Sequence, residues 1–497
     1  MFSMSRRQAL ARISAALGVA ALGCGARTPV GDAELSASRG HVVIIGAGMA
    51  GLAAARALRS AGFAVEIVEA RDRIGGRIRT DRTLGVPVDL GASWIHGARG
   101  NPITKLAKQH GIATASTDYD DVALYGADGA PVSGGARLEL DLAWTALNAE
   151  LGALGLTLDE DLSVQAAIDR LQHGETLTPL ERQYLDWRLG TVEVTAAEDL
   201  DRLSFLAGDD LGFGGSDRLF PGGYDAVVRA VAQGTTVHLG HRVRRVRIVG
   251  ERVHVEADAR TWQADAALVT LPLGVMQAGL VAFEPGLSPA HRDALGALAM
   301  GTLNKVALRF PKPFWPTDRH FLGHLGARGE FPVFLNAARH GDAAVLVAFT
   351  GGSVARALES RSDREAVDRI LPILRGIFGS VPDPEAAVMS RWSWNAVTRG
   401  SYSHIRPGGS ADAFDALAEP LGERIFFAGE ATIRSHPGTV HGAWLSGLRE
   451  ANRIARSITG AATEVGSAAP GAFSPHAGVF PTTGTLPGCD ACHGTRW

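Results

Sequence analysis

The sequence predicts an α/β fold, with a discontinuous Rossmann-like nucleotide-binding domain and a second, mixed α+β domain. A glycine-rich strand-turn-helix pattern begins at residue 41, and further short apolar strands follow only far along the chain, at 266–271 and 424–428. Helical and alternating patterns fill the intervening stretches, and the partial alternation of apolar and basic residues over 236–249 predicts one half-exposed strand. At 497 residues the chain is long enough for more than one domain.

The nucleotide-binding signal begins with the apolar, β-branched run VVII, which is typical of a strand buried in a parallel sheet. A GxGxxG motif follows, formed by Gly46, Gly48 and Gly51. These glycines allow a tight turn, the close approach of a pyrophosphate and close packing of the next helix, whose N-terminus favours phosphate. A second strand, 63–68, ends at Glu69, where an acid can bind a ribose hydroxyl.

Charge and hydropathy exclude several kinds of partner. The formal net charge is −3, with acids and bases interspersed, which indicates neither a nucleic acid nor an anionic membrane surface. After the first 30 residues no stretch is long and apolar enough to predict a membrane span.

Residues 1–30 resemble a twin-arginine export signal, with Arg6 and Arg7 ahead of an apolar run at 13–23, and residues 31–39 form a polar linker. We therefore expect an exported protein of the periplasm or cell envelope. Cys24 leaves two alternatives: a lipid attachment site, or an idle thiol in a cleaved signal. Membrane contact is expected only if Cys24 is lipidated.

Three segments resemble the flavin-dependent amine oxidases, closest to polyamine and spermine oxidases and to the amine oxidase domains of lysine-specific demethylases. They are GAGMAGLAAARAL with EARDRIGGR, then DLGASWIHG, and finally FAGEATIRSHPGTVHGAW near the C-terminus. The resemblance covers about residues 41–458. It implies non-covalent FAD, because none of the three cysteines lies near the C-terminal flavin segment.

This resemblance also implies which residues contact FAD. Glu430 would bond the ribityl chain, the helix start at Thr439 and Val440 would stabilise negative charge on the reduced flavin, and the backbone of Val243 would contact adenine. The full set is Gly46, Gly48, Met49, Ala50, Gly51, Glu69, Ala70, Arg71, Gly76, Arg77, Gly91, Ala92, Ser93, Trp94, Val243, Gly429, Glu430, Thr439 and Val440.

Lys305 is the main catalytic candidate. It stands in the middle of the predicted strand 301–310, on the same face as Leu303 and Ala307, where an ammonium is costly. The segment LNKVALRF resembles the family segment whose lysine holds a water against flavin N5, and desolvation can lower the pKa of such a lysine. By the same resemblance, His96 faces the substrate amine.

Substrate binding is assigned to an acid and two aromatic residues. A cationic amine in an apolar tunnel needs a carboxylate, and Glu193 stands where the related polyamine oxidases place one, with Asp209 and Asp210 as weaker candidates. The resemblance places Trp392 and Tyr402 near the flavin, as an aromatic slot for the amine.

The C-terminal residues 461–497 are rich in Gly, Pro, Ala and Thr and are predicted to be a flexible tail. They contain CxxCH, the attachment motif of c-type haem, in which Cys489 and Cys492 would hold the haem and His493 its iron. The alternative is an end whose two cysteines form a disulfide or stay free.

The sequence predicts an FAD-binding domain of residues 40–100, 220–275 and 415–460, and a substrate domain of 101–219 and 276–414. The resemblance implies oxidation of a polyamine or related amine by hydride transfer to flavin N5, giving an imine that hydrolyses to aldehyde and amine. The acceptor is O2, giving H2O2, or a c-type cytochrome. Alternatives are oxidation of an amino acid, for which Arg399 could bind the carboxylate, oxidation of an alicyclic amine, or a non-catalytic flavin electron-transfer protein.

Overall fold

The computed structural model describes residues 38–171, 177–207, 212–341 and 343–460. Within these ranges the strands are β1 His41–Ile45, β2 Ala64–Val68, β3 Thr80–Asp81, β4 Val88–Asp89, β5 Trp94–Ile95, β6 Ala115–Thr117, β7 Val122–Tyr125, β8 Asp217–Leu219, β9 Thr236–His238, β10 Val243–Val249, β11 Arg252–Ala257, β12 Thr261–Ala264, β13 Ala266–Val269, β14 Ala282–Glu284, β15 Leu298–Met300, β16 Leu303–Arg309, β17 Phe321–His324, β18 Val333–Asn336, β19 Val345–Gly351, β20 Ala386–Met389, β21 Ser403–Ile405 and β22 Ile425–Phe427.

The α-helices in the same ranges are α1 Met49–Ser60, α2 Pro102–Gln109, α3 Gly134–Gly155, α4 Val164–Leu171, α5 Pro179–Ala196, α6 Asp225–Ala232, α7 Leu273–Gln277, α8 Pro289–Ala297, α9 Gly352–Leu358, α10 Asp363–Phe378, α11 Asp412–Leu417 and α12 Val440–Thr459. None of the helices described here is long and apolar enough to cross a bilayer.

A parallel sheet of five strands, in the order β22-β13-β1-β2-β9, supports the nucleotide-binding motif. Its strands come from widely separated parts of the chain, as the predicted discontinuous arrangement requires. Alternate residues of the central strand β1 enter different cores: Val42 and Ile44 pack with the helices, and Val43 and Ile45 pack towards a second sheet. Both faces of β1 are therefore covered, which explains its continuous apolar sequence.

The helical layer brings the two ends of the described chain together. Helix α12 packs on α1, and a Cβ added to Gly447 would lie 2.2 Å from the carbonyl oxygen of Ala50. A side chain at position 447 would therefore force the two helices apart.

The other face of the parallel sheet is covered by a four-stranded sheet in the order β12-β11-β10-β14. The prediction of one half-exposed strand over 236–249 was wrong, because β9 belongs to the parallel sheet and β10 to this second sheet. Gly240, with φ of +74°, turns the chain between the two strands.

The mixed α+β part contains a six-stranded sheet in the order β20-β16-β19-β18-β17-β7 and helices that include α3, α5 and α10. Val306 and Leu308 of β16 face a core shared with α10, whereas Leu303 and Ala307 face a second core that contains Leu90. Because side chains alternate along a strand, Lys305 lies on the same face of β16 as Leu303 and Ala307, as predicted. Its side chain therefore points towards the segment that follows β4.

Candidate active site

The glycine motif is shaped by contacts that exclude larger residues. Gly46 has φ of +107°, and an added Cβ would lie 2.5 Å from Oγ1 of Thr270. A Cβ on Gly51 would lie 2.1 Å from the carbonyl oxygen of Gly46, so only glycine lets α1 begin this close to β1. Apart from its chain neighbours, no described residue has an atom within 4 Å of a Cβ added to Gly48, which leaves open space at the N-terminus of α1.

Glu69, at the end of β2, is held by two backbone N–H groups. Oε2 accepts from Ala47 at 2.8 Å and Oε1 accepts from Arg71 at 2.9 Å. Each carboxylate oxygen keeps a second lone pair, so the predicted bond to a ribose hydroxyl is compatible with these contacts. Val243 packs in one core with Val68, the residue before Glu69, which places the predicted adenine contact near the predicted ribose contact.

Arg71 and Gly76 belong to the same site, where they lie beside Glu69 and Gly48. Arg71 Nη1 donates to the carbonyl oxygen of Gly76 at 2.8 Å, whereas its Nη2 is buried and has no hydrogen-bond partner in the part of the chain that the structure describes. A buried guanidinium nitrogen without a partner is costly, and an anionic ligand would satisfy it. Gly76 itself has φ of +58° and lies against Gly48.

Glu430, in the segment after β22, links the two ends of the fold. Its Oε1 forms an ion pair with Arg77 Nη1 at 2.6 Å, and its Oε2 accepts from the backbone N–H groups of Ser403, at 3.3 Å, and Gly438, at 3.0 Å. Thr439 caps α12 by accepting from the backbone N–H of Gly442 at 2.9 Å. The remaining N–H groups of the first turn of α12 favour a ligand with negative charge.

The geometry and charge of these residues are compatible with bound FAD. The N-terminus of α1, the open space at Gly48 and the unsatisfied guanidinium nitrogen of Arg71 suit a pyrophosphate, and the N-terminus of α12 suits negative charge on the flavin. When bound, the flavin would be held by the predicted set of contacts, whose members Met49 and Ala50 open α1 and Val440 opens α12. Ala70, Ala92 and Gly429 remain predicted contacts, and a Cβ on Gly429 would meet open space.

Lys305 is buried to 3% exposure and its ammonium is fully coordinated by one short segment. Nζ donates to the carbonyl oxygens of Asp89, at 2.9 Å, and Gly91, at 2.6 Å, and to the hydroxyl of Ser93. The three ammonium hydrogens therefore have three acceptors within residues 89–93, of which Gly91 and Ser93 belong to the predicted FAD contacts.

Burial lowers the pKa of Lys305, and the negative charge of Asp89 opposes that shift. Burial raises the pKa of the Asp89 carboxyl, although a hydrogen bond from Thr80 and the Lys305 charge both favour its ionised form. Lys305 can therefore lose a proton at lower pH than an exposed lysine.

Aromatic rings surround this ammonium. Nζ of Lys305 lies 5.3 Å from the ring centre of Trp94 and 5.5 Å from that of Phe349, within the range of cation–π attraction. Trp392 is buried, and its Nε1 donates to the carbonyl oxygen of Leu90 at 3.1 Å. The structure therefore brings Lys305, Trp392 and residues 91–94 together.

Tyr402 lies against the C-terminal end of α5, the part of the helix that contains Glu193. The hydroxyl of Tyr402 donates to the carbonyl oxygen of Thr195 at 2.7 Å, two residues from Glu193. The Glu193 carboxylate pairs with Arg328 Nη2 at 2.6 Å. Burial raises the pKa of Glu193 despite that pair. A substrate ammonium would therefore share the carboxylate with Arg328.

His96 is half-exposed and is oriented by Asp217. Its Nδ1 lies 2.7 Å from Oδ2 of Asp217, whose Oδ1 accepts from the backbone N–H of Gly97 at 2.7 Å. Burial opposes the charge of Asp217, but the hydrogen bond with His96 lowers its pKa below the usual range. The Asp217 carboxylate therefore fixes the orientation of the His96 ring.

Sequence reasoning missed Asp217 and Arg328 because each is defined by a partner far along the chain. Asp89 stood inside a recognised segment, but only the structure shows its backbone contact with Lys305. Cys24, Asp209, Asp210, Cys489, Cys492 and His493 lie outside the described residues. Among the residues that the structure does describe, no group of three or more His, Cys, Asp or Glu could hold a metal ion.

Comparison with known proteins identifies one family. The family model described as flavin containing amine oxidoreductase matches residues 49–455. Lysine-specific histone demethylase 1 homolog 1 of Oryza sativa subsp. japonica is 38% identical over 454 residues, which cover 86% of this chain and 53% of that protein. Protein FLOWERING LOCUS D of Arabidopsis thaliana is 36% identical over 441 residues, covering 84% and 56%. The chain thus spans about half the length of these relatives.

A second kind of relative is matched over most of its length. Polyamine oxidase 5 of Oryza sativa subsp. japonica is 33% identical over 442 residues, which cover 85% of this chain and 89% of that protein. A putrescine oxidase double mutant with redesigned cofactor binding has the same fold, with a TM-score of 0.67 and 24% identity over 84% of this chain and 98% of that one.

Proposed function

Because the chain belongs to the family of flavin-containing amine oxidoreductases, we propose that it is an FAD-dependent oxidase of a polyamine or a related amine. The observation that carries the proposal is the buried ammonium of Lys305, fixed on residues 89–93 between aromatic rings. The match to a polyamine oxidase over most of both chains supports this substrate class.

The chemistry of hydride removal belongs to the cofactor. When bound, FAD would accept a hydride from the carbon beside the amine, and water would hydrolyse the resulting imine to an aldehyde and an amine. The chain's part is to bind the pyrophosphate at the N-terminus of α1 and to stabilise negative charge on the cofactor at the start of α12.

Lys305 would take up and release a proton during the reaction. Its coordination by two carbonyl oxygens and Ser93 fixes Nζ in one position, and burial makes the neutral amine accessible at lower pH than in an exposed lysine. A group with these properties can take up and release one proton beside the reacting centre.

The substrate amine is oriented by aromatic and acidic groups. Trp392 and Tyr402 would form the slot that holds the neutral amine, while the Glu193 carboxylate attracts a second, cationic nitrogen of the same molecule. His96, which Asp217 orients, would accept the proton that the reacting ammonium must lose before oxidation.

Export and the electron acceptor form a separate part of the proposal. The twin-arginine-like start of the chain suits a protein that folds around its cofactor before export to the periplasm or cell envelope, with lipid anchoring at Cys24 as the alternative to cleavage. The acceptor is O2, or a c-type cytochrome, including haem on Cys489 and Cys492 with His493 as ligand. A visible spectrum of the purified full chain, before and after removal of FAD, distinguishes a haem-bearing tail from free or bridged cysteines.

Anaerobic mixing of the FAD-loaded full chain with spermidine, L-lysine or piperidine tests the activity and its substrate class. We expect spermidine to bleach the flavin absorbance and the other two to leave it unchanged within the same time. Bleaching by L-lysine or piperidine alone would favour the amino acid or alicyclic amine alternative. No bleaching by any amine, with FAD bound, would leave only the electron-transfer alternative.

A further inference from the structure

A polar cavity of about 360 Å³ lies beside the short antiparallel ribbon formed by β15 and β21. Its wall carries an unusual excess of positive groups together with one acid and one imidazole: Arg202, Arg356, Arg399, Arg406, Glu198 and His404. Lys305, Trp392 and Tyr402 are absent from this lining, whereas Arg399, considered above for the carboxylate of an amino acid substrate, belongs to it.

The ribbon itself separates the two sites. Ser403 directs its hydroxyl to Glu430, on the side of the predicted ribityl contact. Because neighbouring residues of a strand point to opposite faces, His404 faces the other way, into the cavity, where its strand position pairs with Ala299.

Positive charge in the cavity is only partly neutralised. The Glu198 carboxylate is taken by Arg356, whose Nη1 and Nη2 donate to it at 3.0 and 2.6 Å. Arg202 and Arg399 have no acidic partner within 4.0 Å among the described residues, and Arg406 donates only to the carbonyl oxygen of Leu298, at 3.1 Å. Three of the four arginines that line the cavity therefore have no acidic partner among the described residues.

His404 adds a second, independent sign of a ligand. Its side chain is 8% exposed, and neither ring nitrogen has a hydrogen-bond partner in the described ranges; the nearest acid, Glu198, is 3.9 Å away. The pKa of His404 is lowered to about 4, mainly by burial and against the opposing charge of Glu198, with smaller contributions to the decrease from Arg406, Arg356 and Arg202. The neutral ring thus has one N–H donor without an acceptor, which is costly in a buried position.

We propose that this cavity binds a small polyanion with two or three phosphate or carboxylate groups. Guanidinium groups bind such oxygens through paired hydrogen bonds, and the idle N–H of His404 would gain an acceptor. The volume lies at the lower end of the range for small-molecule sites, which suits a ligand of this size rather than a nucleotide or a peptide.

Calorimetric titration of the full chain tests the proposal, with FAD bound so that the predicted pyrophosphate site is filled. The probes are sodium pyrophosphate and citrate at low ionic strength, where charge attraction is least screened. We expect saturable binding of at least one probe. Binding of pyrophosphate alone would identify a phosphate ligand, and binding of citrate alone would identify a carboxylate ligand. Binding of both would show that the site recognises negative charge rather than one chemical group.

Two variants keep the test specific. Arg202→Gln combined with Arg399→Gln removes two unpaired guanidinium groups and should weaken binding at least tenfold, and His404→Phe keeps a ring but removes both nitrogens and should also weaken it. Arg182→Gln is the matched control, because Arg182 is exposed and outside the cavity. Absence of binding to the unmodified chain would overturn the proposal, as would equal affinity in the double variant and the control.

Discussion

Arg77 and Glu430 are 353 residues apart in the chain, and their side chains form an ion pair with 2.6 Å between Nη1 and Oε1. Arg77 belongs to the glycine-rich segment after β2, and Glu430 to the segment that leads into α12. Both segments were predicted to contact FAD, so this pair fixes the two halves of the cofactor site relative to each other.

Glu430→Gln should loosen the cofactor site. The change removes the charge that pairs with Arg77 while keeping the size of the side chain, and breaking a largely buried pair on one side costs about 2–3 kcal/mol after allowance for the partly exposed arginine. We expect a lower melting temperature and partial loss of FAD during gel filtration. Glu423→Gln is the control, since that side chain is exposed and makes no hydrogen bond with any residue that the structure describes. Equal FAD retention in both variants would contradict the assignment.

Lys305→Met should impair the chemistry more than cofactor binding. A positioned proton-transfer group contributes roughly a hundredfold or more to a rate. Rapid mixing that follows flavin reduction by spermidine and reoxidation by O2 separately should show a drop of that size in at least one step. Lys312→Met, on an exposed lysine of the following loop, should leave both rates unchanged. If the two variants behave alike, Lys305 has no role in catalysis.

The pH dependence should carry the signature of the same lysine. Because burial lowers its pKa, the step that needs neutral Lys305 should accelerate with rising pH along a limb centred below 10.5, the ordinary value. Lys305→Met should lack that limb, whereas a limb due to the substrate ammonium should remain in both proteins. An identical pH profile for the two proteins would rule out titration of Lys305.

The free energy of unfolding should also depend on the protonation of Lys305. Between the lowered folded pKa and 10.5 the unfolded chain binds more protons at Lys305 than the folded chain, so this group makes the protein more stable as pH rises through that window. Asp89 acts in a lower window: its raised folded pKa makes its contribution fall as pH increases from 3.8 towards that pKa. Urea unfolding across the upper window should show the increase in the unmodified protein and not in Lys305→Met.

The nucleotide-binding half was largely predictable because its signals are local. Strand β1, the turn at Gly46 and helix α1 are encoded within about twenty consecutive residues, so periodicity and the glycine spacing were sufficient. The predicted strand over 236–249 was wrong because the chain turns at Gly240 and each half joins a different sheet. That choice depends on tertiary packing rather than on local pattern.

The polar partners of the site could not be predicted in the same way. Asp217 lies 121 residues from His96, and Arg328 lies 135 residues from Glu193, and neither stands in a sequence pattern that points to its partner. Lys305 was identified because an ammonium in the middle of an apolar strand is costly wherever the strand is placed. Its acceptors are mostly backbone carbonyls, which no side-chain pattern specifies.

The ion pair between Glu193 and Arg328 leads to a prediction about substrate charge. If Glu193 attracts the second nitrogen of a polyamine, Glu193→Gln should raise the KM for spermidine about tenfold, since one partly buried charge pair is lost, and change kcat little. The KM for a monoamine such as butylamine should be unaffected.

Arg328→Gln provides the matched test, because it leaves the carboxylate in place and removes its present partner. Freed from Arg328, the carboxylate should bind a polycation more tightly, so the KM for spermidine should fall while that for butylamine stays constant. Steady-state kinetics of the two variants with both amines measures the difference. If both variants change the two KM values in parallel, the pair acts only by holding α5 in place, and the cation must be recognised elsewhere.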